Sequence, residues 1–363
     1  MPLRLLLAAL LALALAGCVG PRGAAMQSEV LRGTDAPDSD VQVIEVSRAN
    51  LSELNAWPRP ARASGHSWPR ASAAATTRLI RAGDMVSLAV WDSQETSLVT
   101  TREQRFANMQ DILVSTSGQI FVPYVGEITV SGQTAEQARR EIQQRMESIV
   151  PDAQVQLSVR PGAGNTIDVV AGVARPGRIA LPETSPTILS VLSEAGGIAP
   201  AMRNPLVRLQ RAGVSYAIPA RRLYAEPALD IQLRGGDRIV VEADQRHYIA
   251  LGAAGRQDVV YFEREDISAL DALSSIGGLS QARADLKGLM VLREYPASMV
   301  RASGAHPRQP WVIFTFDLST ADGLFAAQRF QIQPQDVVLA TESPFAILGA
   351  PLALLRQFQL LTR

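Results

Sequence analysis

The sequence predicts an α+β fold made of several small modules, and three observations support this class. Residues 111–159 follow the pattern strand, strand, strand, helix, strand. The segments SPTILSVLSEAGGI and DISALDALSSIGGL, residues 185–198 and 266–279, align without a gap at an offset of about 81 residues, a spacing compatible with duplicated small domains. A turn that leads into a short apolar strand occurs three times, at residues 81–91, 233–243 and 332–342.

The first module contains one clearly marked helix. Thr134 and Gln137 match the capping-box pattern with which many helices begin. Ile142 and Met146 fall on one apolar face, as expected of a helix that packs against a core. Pro151 cannot continue a helix and therefore predicts its end. We expect one amphipathic helix packed on the strands of this module.

The repeated segment predicts one short helix in each copy. Ser185 and Asp266 are the candidate N-caps, because their side chains can accept backbone N–H groups. Each helix is expected to end at a pair of glycines, residues 196–197 and 277–278, since a left-handed C-cap favours glycine. Before its closing strand, the second copy has Gln335 where the first has glycine, which predicts a different turn.

The N-terminus resembles a bacterial lipoprotein signal peptide, residues 1–17. Arg4 precedes an apolar stretch, residues 5–15, that is too short to span a bilayer. The stretch runs into Leu-Ala-Gly-Cys, which resembles a lipobox and predicts lipidation of Cys18; an ordinary cleaved signal with an incidental cysteine is the alternative. Val19, in place of aspartate, resembles a signal for sorting to the outer membrane. Because Cys18 is the only cysteine, an internal disulfide is excluded.

The segment after the signal peptide has the composition of a linker. Residues 18–77 are rich in Ala, Ser, Pro and Arg and predict an extended segment with one short strand at residues 41–46. Trp57 and Trp68 within it could stack on sugar rings. Packing against a neighbouring module is the favoured interpretation, because tryptophan is mostly buried in folded proteins.

No pattern in the sequence points to catalysis, a metal or a cofactor. The three histidines, His66, His247 and His306, lie in unrelated segments without ligand spacing. Carboxylates such as Asp266 and Asp271 fit helix caps and solvated faces, although a glycosidase pair of two acids that meet in space stays open. The formal net charge is zero, so the composition gives no indication of nucleic-acid binding. We expect a protein that is not an enzyme and uses no cofactor.

One block of sequence is specific enough to suggest a family. The block GQIFVPYVGEITVSGQT, residues 118–134, together with the lipobox and the two helix-Gly-Gly units, resembles the Wza-type polysaccharide export family over about residues 79–342. The repeats resemble soluble-ligand-binding β-grasp domains. The resemblance implies the following domains: signal peptide 1–17, N-terminal extended segment or linker 18–77, polysaccharide export domain 78–161, first β-grasp repeat 165–244, second β-grasp repeat 245–342 and C-terminal amphipathic helix 343–363.

The C-terminal tail has the pattern of an amphipathic helix. Its apolar positions are Leu354, Leu355, Phe358 and Leu361, and its polar positions are Arg356, Gln359 and Arg363. A helix that begins at Pro351 would measure about 20 Å, which is shorter than a hydrocarbon core of about 30 Å. A terminal helix packed on the second repeat is the alternative.

The family resemblance implies a use for this tail. Members of the family assemble as homo-oligomeric rings, typically of eight subunits, whose C-terminal helices form an α-helical barrel through the outer membrane. The apolar positions of the tail would then face lipid, and the polar positions would face the pore. Arginines repeated around the pore could attract an acidic polysaccharide.

The resemblance also implies function, partners and location. We expect a passive export conduit for capsule polysaccharide or exopolysaccharide, lipid-anchored at the outer membrane with its body in the periplasm. Its expected partners are an inner-membrane polysaccharide co-polymerase or export protein and the associated transporter. The alternative is a periplasmic glycan-binding or scaffolding lipoprotein that forms no pore.

Overall fold

The computed structural model describes residues 23–36, 38–60, 68–70, 77–91, 106–280, 283–302 and 304–344. The chain divides into two compact units, which we call unit 1 (residues 1–63 and 245–363) and unit 2 (residues 64–244). Several small sheets and a few short helices make up the described residues. The predicted α+β class is therefore confirmed at this level.

Sixteen strands and seven α-helices form the secondary structure of the described residues. The strands are β1 Val41–Glu45, β2 Met85–Trp91, β3 Phe106–Leu113, β4 Gln119–Val122, β5 Gly126–Thr129, β6 Gln154–Arg160, β7 Thr166–Ala171, β8 Gly177–Ala180, β9 Pro205–Arg211, β10 Val214–Pro219, β11 Arg238–Ala243, β12 His247–Gly252, β13 Asp258–Tyr261, β14 Ala284–Glu294, β15 Trp311–Phe316 and β16 Val337–Glu342. The helices are α1 Gln27–Val30, α2 Leu51–Ala56, α3 Ala135–Glu147, α4 Ile188–Glu194, α5 Ala220–Ala225, α6 Ala269–Ser275 and α7 Ala321–Arg329.

Unit 2 begins with a small sheet packed on the helix α3. The sheet has the order β3-β2-β6, and β4 and β5 form a separate hairpin. The predicted capping box is confirmed: Gln137 N–H donates to Thr134 Oγ1 at 3.2 Å, and Thr134 N–H donates to Gln137 Oε1 at 2.9 Å. Ile142 and Met146 are buried, as the apolar face predicted. The helix thus closes one side of this core.

The two remaining large sheets share one strand order. In unit 2 the order is β10-β9-β11-β7-β8, and in unit 1 it is β15-β14-β16-β12-β13. The central strand pairs in parallel with β7 in unit 2 and with β12 in unit 1. Unit 1 carries one additional strand, because β1 pairs in parallel with β15. One short helix packs against each sheet, α4 in unit 2 and α6 in unit 1.

The predicted N-caps of these two helices were wrong by two residues. Neither Ser185 nor Asp266 is the cap; Thr187 caps α4 and Ser268 caps α6. Thr187 and Ser268 each form a β-bridge with a distant residue and have extended backbone angles, so each helix begins only after them. The first helical N–H of α4 accordingly donates to the carbonyl of Ile231 at 3.0 Å. Pairing with a non-local strand, and not the local sequence, determines where each helix begins.

The predicted ends of the two helices are confirmed. Both glycines of each pair adopt left-handed backbone conformations, with φ of 83° and 82° in the first pair and 88° and 74° in the second. L-residues other than glycine adopt such angles at a cost of about 1–2 kcal/mol. The glycine pairs therefore allow the chain to leave each helix abruptly.

A buried aspartate holds each of the three turns that lead into a strand. Asp84, Asp237 and Asp336 are at most 2% exposed. Each carboxylate accepts the backbone N–H three positions earlier: Arg81 to Asp84 at 2.9 Å, Arg234 to Asp237 at 2.7 Å and Gln333 to Asp336 at 2.7 Å. The side chain thereby closes its own turn from inside the protein.

Each buried carboxylate has a second polar partner. Arg211 binds both oxygens of Asp237 at 2.9 and 2.6 Å, and Arg293 binds both oxygens of Asp336 at 2.8 and 2.7 Å. In the first module, Asn165 Nδ2 donates to Asp84 at 2.7 Å instead. Burial alone would lower the pKa of Arg293, but the attraction and hydrogen bonds of Asp336 outweigh it and raise this pKa, so the arginine stays charged.

Gln335 forms the same turn as its glycine counterparts, so the predicted difference was wrong. Its φ is 71°, compared with 87° at Gly83 and 84° at Gly236. Its side chain is exposed and its N–H donates to the carbonyl of His247 at 2.7 Å. The buried carboxylate of Asp336 holds the turn even though a glutamine occupies its left-handed position.

Part of the segment predicted as a linker is folded into unit 1. β1 extends the sheet, and Trp57 is 6% exposed, with ring centroids 6.0 Å from Tyr295 and 6.1 Å from Phe314. Its indole N–H donates to the carbonyl of Gly304 at 2.8 Å. In unit 2, Trp68 donates to the carbonyl of Leu229 at 2.9 Å. Both tryptophans thus pack within the protein, as the favoured interpretation predicted.

We predict that Arg293→Ala lowers the free energy of unfolding by about 3–5 kcal/mol, because it leaves the carboxylate of Asp336 buried without its counter-charge. The control is Arg264→Ala, which breaks an exposed pair with Asp271 at 3.4 Å in the same unit and should cost less than about 1 kcal/mol. Urea unfolding of both variants measures the difference. Equal losses would show that the buried pair has no special role.

We predict that Gln335→Gly stabilises unit 1 by about 0.5–1 kcal/mol, because glycine adopts a positive φ without steric cost. The reverse change, Gly236→Gln, should destabilise unit 2 by about 1 kcal/mol, since open space surrounds Gly236 and only its backbone angle opposes a side chain. The midpoints of thermal unfolding of the two variants should shift in opposite directions from that of the unchanged protein. A shift of the same sign in both would contradict the shared turn.

Candidate functional site

The site residues predicted from the sequence lie outside the described residues. They are the lipidation site Cys18, the apolar tail positions Leu354, Leu355, Phe358 and Leu361, and the polar tail positions Arg356, Gln359 and Arg363. Their assignments stay predictions. Within the described ranges, none of the helices combines the length and apolar character needed to cross a membrane.

Two titratable side chains considered from the sequence, His247 and Asp271, make structural contacts. No group of three or more His, Cys, Asp or Glu side chains with metal-binding geometry occurs in these ranges. The ring of His247 contacts Tyr261, with centroids 5.7 Å apart. Burial alone would raise the pKa of Asp271, but hydrogen bonds from Ser268 and the nearby Arg264 hold it below its ordinary value. That carboxylate is the second half of the capping box of α6.

One buried phenol also has a structural explanation. Burial raises the pKa of Tyr248 to about 12, and its hydroxyl donates to the carbonyl of Ala272 at 2.9 Å. This bond joins β12 to α6 within the core of unit 1. The phenol therefore stays protonated near neutral pH and fastens the helix to the sheet.

The β4–β5 hairpin of unit 2 presents two aromatic side chains to solvent. Phe121 and Tyr124 are each 63% exposed, whereas Ile120 and Val122 on the opposite face are fully buried. Alternation along β4 causes the exposure of Phe121, since successive side chains of a strand point to opposite faces. Tyr124 instead lies in the turn between β4 and β5. Phe121 lies opposite Glu127 on β5, so the outer face of the hairpin combines an aromatic ring with a carboxylate.

Hydrogen bonds hold the hairpin in a defined shape. Val125 N–H donates to the carbonyl of Val122 at 3.1 Å across the turn, and Tyr124 adopts a φ of 67° within it. At the other end, Val130 N–H donates to the carbonyl of Gly118 at 2.9 Å. The exposed aromatic rings are thus held on a closed turn, an arrangement suited to contact with another molecule.

A second feature concerns the two ends of the described chain in unit 1. Met26 forms a parallel β-bridge with Glu342, and Glu342 N–H donates to the carbonyl of Ala25 at 3.0 Å. The carboxylate of Glu342 is 5% exposed and lies 3.6 Å from Arg283 Nη1. The two ends of the described chain therefore meet at the end of β16, a strand inside the sheet of unit 1.

Sequence reasoning did not single out Phe121, Tyr124 or the contact between the two chain ends. The three consecutive apolar residues Ile120, Phe121 and Val122 were a usable signal, because only alternate residues of a strand on a surface hairpin can be buried. The bridge between Met26 and Glu342 left no local signal. Its two residues are separated by most of the sequence.

Comparison with known proteins identifies one domain directly. Residues 72–160 match the family model described as polysaccharide biosynthesis/export protein. This range contains the sheet β3-β2-β6, the hairpin and α3. The match agrees with the resemblance drawn from residues 118–134.

Several curated proteins are similar over most of their length. The capsule polysaccharide export outer membrane protein CtrA of Neisseria meningitidis serogroup A is 26% identical over 290 residues, covering 75% of this chain and 74% of the relative. The capsule polysaccharide export protein BexD of Haemophilus influenzae is 25% identical over 352 residues, covering 90% and 87%. The EPS I polysaccharide export outer membrane protein EpsA of Ralstonia solanacearum is 29% identical over 282 residues, covering 73% and 72%.

We predict that the double variant Phe121→Ser with Tyr124→Asn changes the free energy of unfolding by less than about 1 kcal/mol, because both side chains are exposed and asparagine tolerates positive φ. The neighbouring variant Ile120→Ala should cost about 2–5 kcal/mol, since it opens a cavity in the core. Thermal unfolding separates the two outcomes. A large loss in the double variant would assign the aromatic residues to the fold.

Proposed function

Because the chain belongs to the Wza-type polysaccharide export family, we propose that it forms a passive conduit for capsule polysaccharide or exopolysaccharide across the outer membrane. The proteins of this family are transport components and not enzymes. A ring of identical subunits would build the conduit, since a single amphipathic helix cannot enclose a water-filled passage.

The observation that carries the proposal is the bridge between Met26 and Glu342. Cys18 lies five residues before Gly23 and can reach no more than about 18 Å from it. The C-terminal tail begins one residue after Glu342, at the same end of β16. A lipid on Cys18 and a membrane-inserted tail would therefore enter the same patch of one membrane.

The tail supplies the proposed wall of the passage. Its apolar positions Leu354, Leu355, Phe358 and Leu361 would contact lipid, and its polar positions Arg356, Gln359 and Arg363 would face water. In a ring, the arginines would repeat around the lumen and favour an acidic polysaccharide. The body of each subunit would stay in the periplasm, where an inner-membrane export protein and its transporter deliver the polymer.

The modular fold fits this assembly. The shared strand order of the two large sheets supports two β-grasp repeats, residues 165–244 and 245–342, after a polysaccharide export domain at residues 78–161. We assign the exposed rings of Phe121 and Tyr124 on the export domain to contact with the polymer or with an adjacent subunit.

We predict that an epitope tag placed after Arg363 is accessible to antibody on intact cells. A matched tag inserted between Ala212 and Gly213, in the turn that joins β9 and β10, should become accessible only after the outer membrane is opened. If antibody reaches both tags only after the outer membrane is opened, the result would support the alternative, a periplasmic scaffold. Projections of the detergent-extracted protein by electron microscopy should show closed rings, and a monomer would contradict the conduit.

A further inference from the structure

A cavity of about 400 Å³ lies within unit 2 where the end of β6 approaches the segment that follows β8. Its walls include Leu157 and Ser158 of β6 and, from the other side, Leu181, Pro182 and Glu183. The volume falls within the range of small-ligand sites. Both strands are at the edges of their sheets, so the cavity is an open groove between two sheet edges.

Arg78 forms part of this groove and is 8% exposed. One terminal nitrogen donates to the carbonyl of Leu181 at 2.6 Å, and the other donates to the carbonyl of Val159 at 2.8 Å. In the part of the chain that the structure describes, no carboxylate forms an ion pair with Arg78. This sets it apart from the two other deeply placed arginines, Arg211 and Arg293, each of which binds an aspartate through two hydrogen bonds.

A buried charge without a counter-charge is unfavourable, because carbonyl dipoles replace only part of its hydration. A guanidinium group has five N–H donors, and the two carbonyls use two of them. The remaining donors can bind both oxygens of a carboxylate, the geometry that arginine favours. Glu183 does not supply this carboxylate: its side chain is exposed, and only its backbone carbonyl contacts Arg78, through the backbone N–H at 2.8 Å.

The other groups of the groove suit a sugar ring. Leu157 and Pro182 offer apolar surface, and the hydroxyl of Ser158 can exchange hydrogen bonds with sugar hydroxyls. We propose that this groove binds an acidic sugar residue, with its carboxylate on Arg78 and its ring against the apolar wall. The inference rests on the proposed export function and deepens it, because it assigns recognition of an acidic sugar residue to a groove of unit 2.

The experiment measures binding to the purified, detergent-extracted full chain by isothermal titration, independently of export. The probe is trigalacturonic acid, and maltotriose is its neutral counterpart. We expect the acidic trisaccharide to bind, with an affinity that falls as salt increases, and the neutral one to bind at least about tenfold more weakly. Equal binding of the two sugars, or no binding of the acidic one, would overturn the proposal.

Arg78→Gln removes the charge, but it also disturbs two backbone contacts, so a second variant is needed. Ser158→Glu leaves Arg78 intact and places a carboxylate in the groove at an exposed position. It should weaken binding of the acidic trisaccharide roughly tenfold or more through like-charge repulsion. Unchanged binding in Ser158→Glu would refute the site.

The matched control is Ser215→Glu, at a second cavity of about 460 Å³ in unit 2. The arginine of that cavity, Arg238, already lies 3.9 Å from the carboxylate of Asp168, so binding should not change. Loss of binding in this control as well would show a nonspecific charge effect and overturn the proposal. Binding at Arg78 in a protein that forms no rings would refute the conduit and leave this inference standing.

Discussion

The fold depends on three buried carboxylates, Asp84, Asp237 and Asp336. Each closes the turn before one strand, and in each case that strand, β2, β11 or β16, is the central strand of its sheet. A carboxylate can be buried only if its oxygens are satisfied, so the turn cannot open without exposing an unpaired charge to the core. The same carboxylate thereby fixes the turn and the point at which the central strand begins. The neighbouring strands pair with this central strand.

The partner of the carboxylate differs among the modules, and the difference has a structural consequence. In the two large sheets an arginine of the adjacent strand neutralises the aspartate. In the export domain, Asp84 instead accepts bonds from Gly162 N–H at 2.7 Å and Asn165 Nδ2 at 2.7 Å. These residues belong to the segment that joins β6 to β7. Asp84 therefore also holds this connection, and Arg78 and its groove lie beside it.

Features that depend on neighbours in sequence could be predicted, and features that depend on distant residues could not. The capping box at Thr134 and the glycine pairs that end α4 and α6 are local, and the structure agrees with both. The start of α4 depends on a bridge from Thr187 to Gln232, and the burial of Trp57 depends on residues more than 200 positions away. Likewise, the exposure of Tyr124 and the groove at Arg78 required the fold.

The contact between the two ends of the described chain bears on how the proposed tail helix could be held in a membrane. A helix of about 20 Å is marginal in a hydrocarbon core of about 30 Å, and stable anchoring by acyl chains commonly requires a second signal. Because Met26 is bridged to Glu342, insertion of one proposed anchor would confine the other to the same patch of membrane and raise its effective concentration there. Two anchors that are each weak alone would then act as one, and they would also fix which end of β16 faces the bilayer.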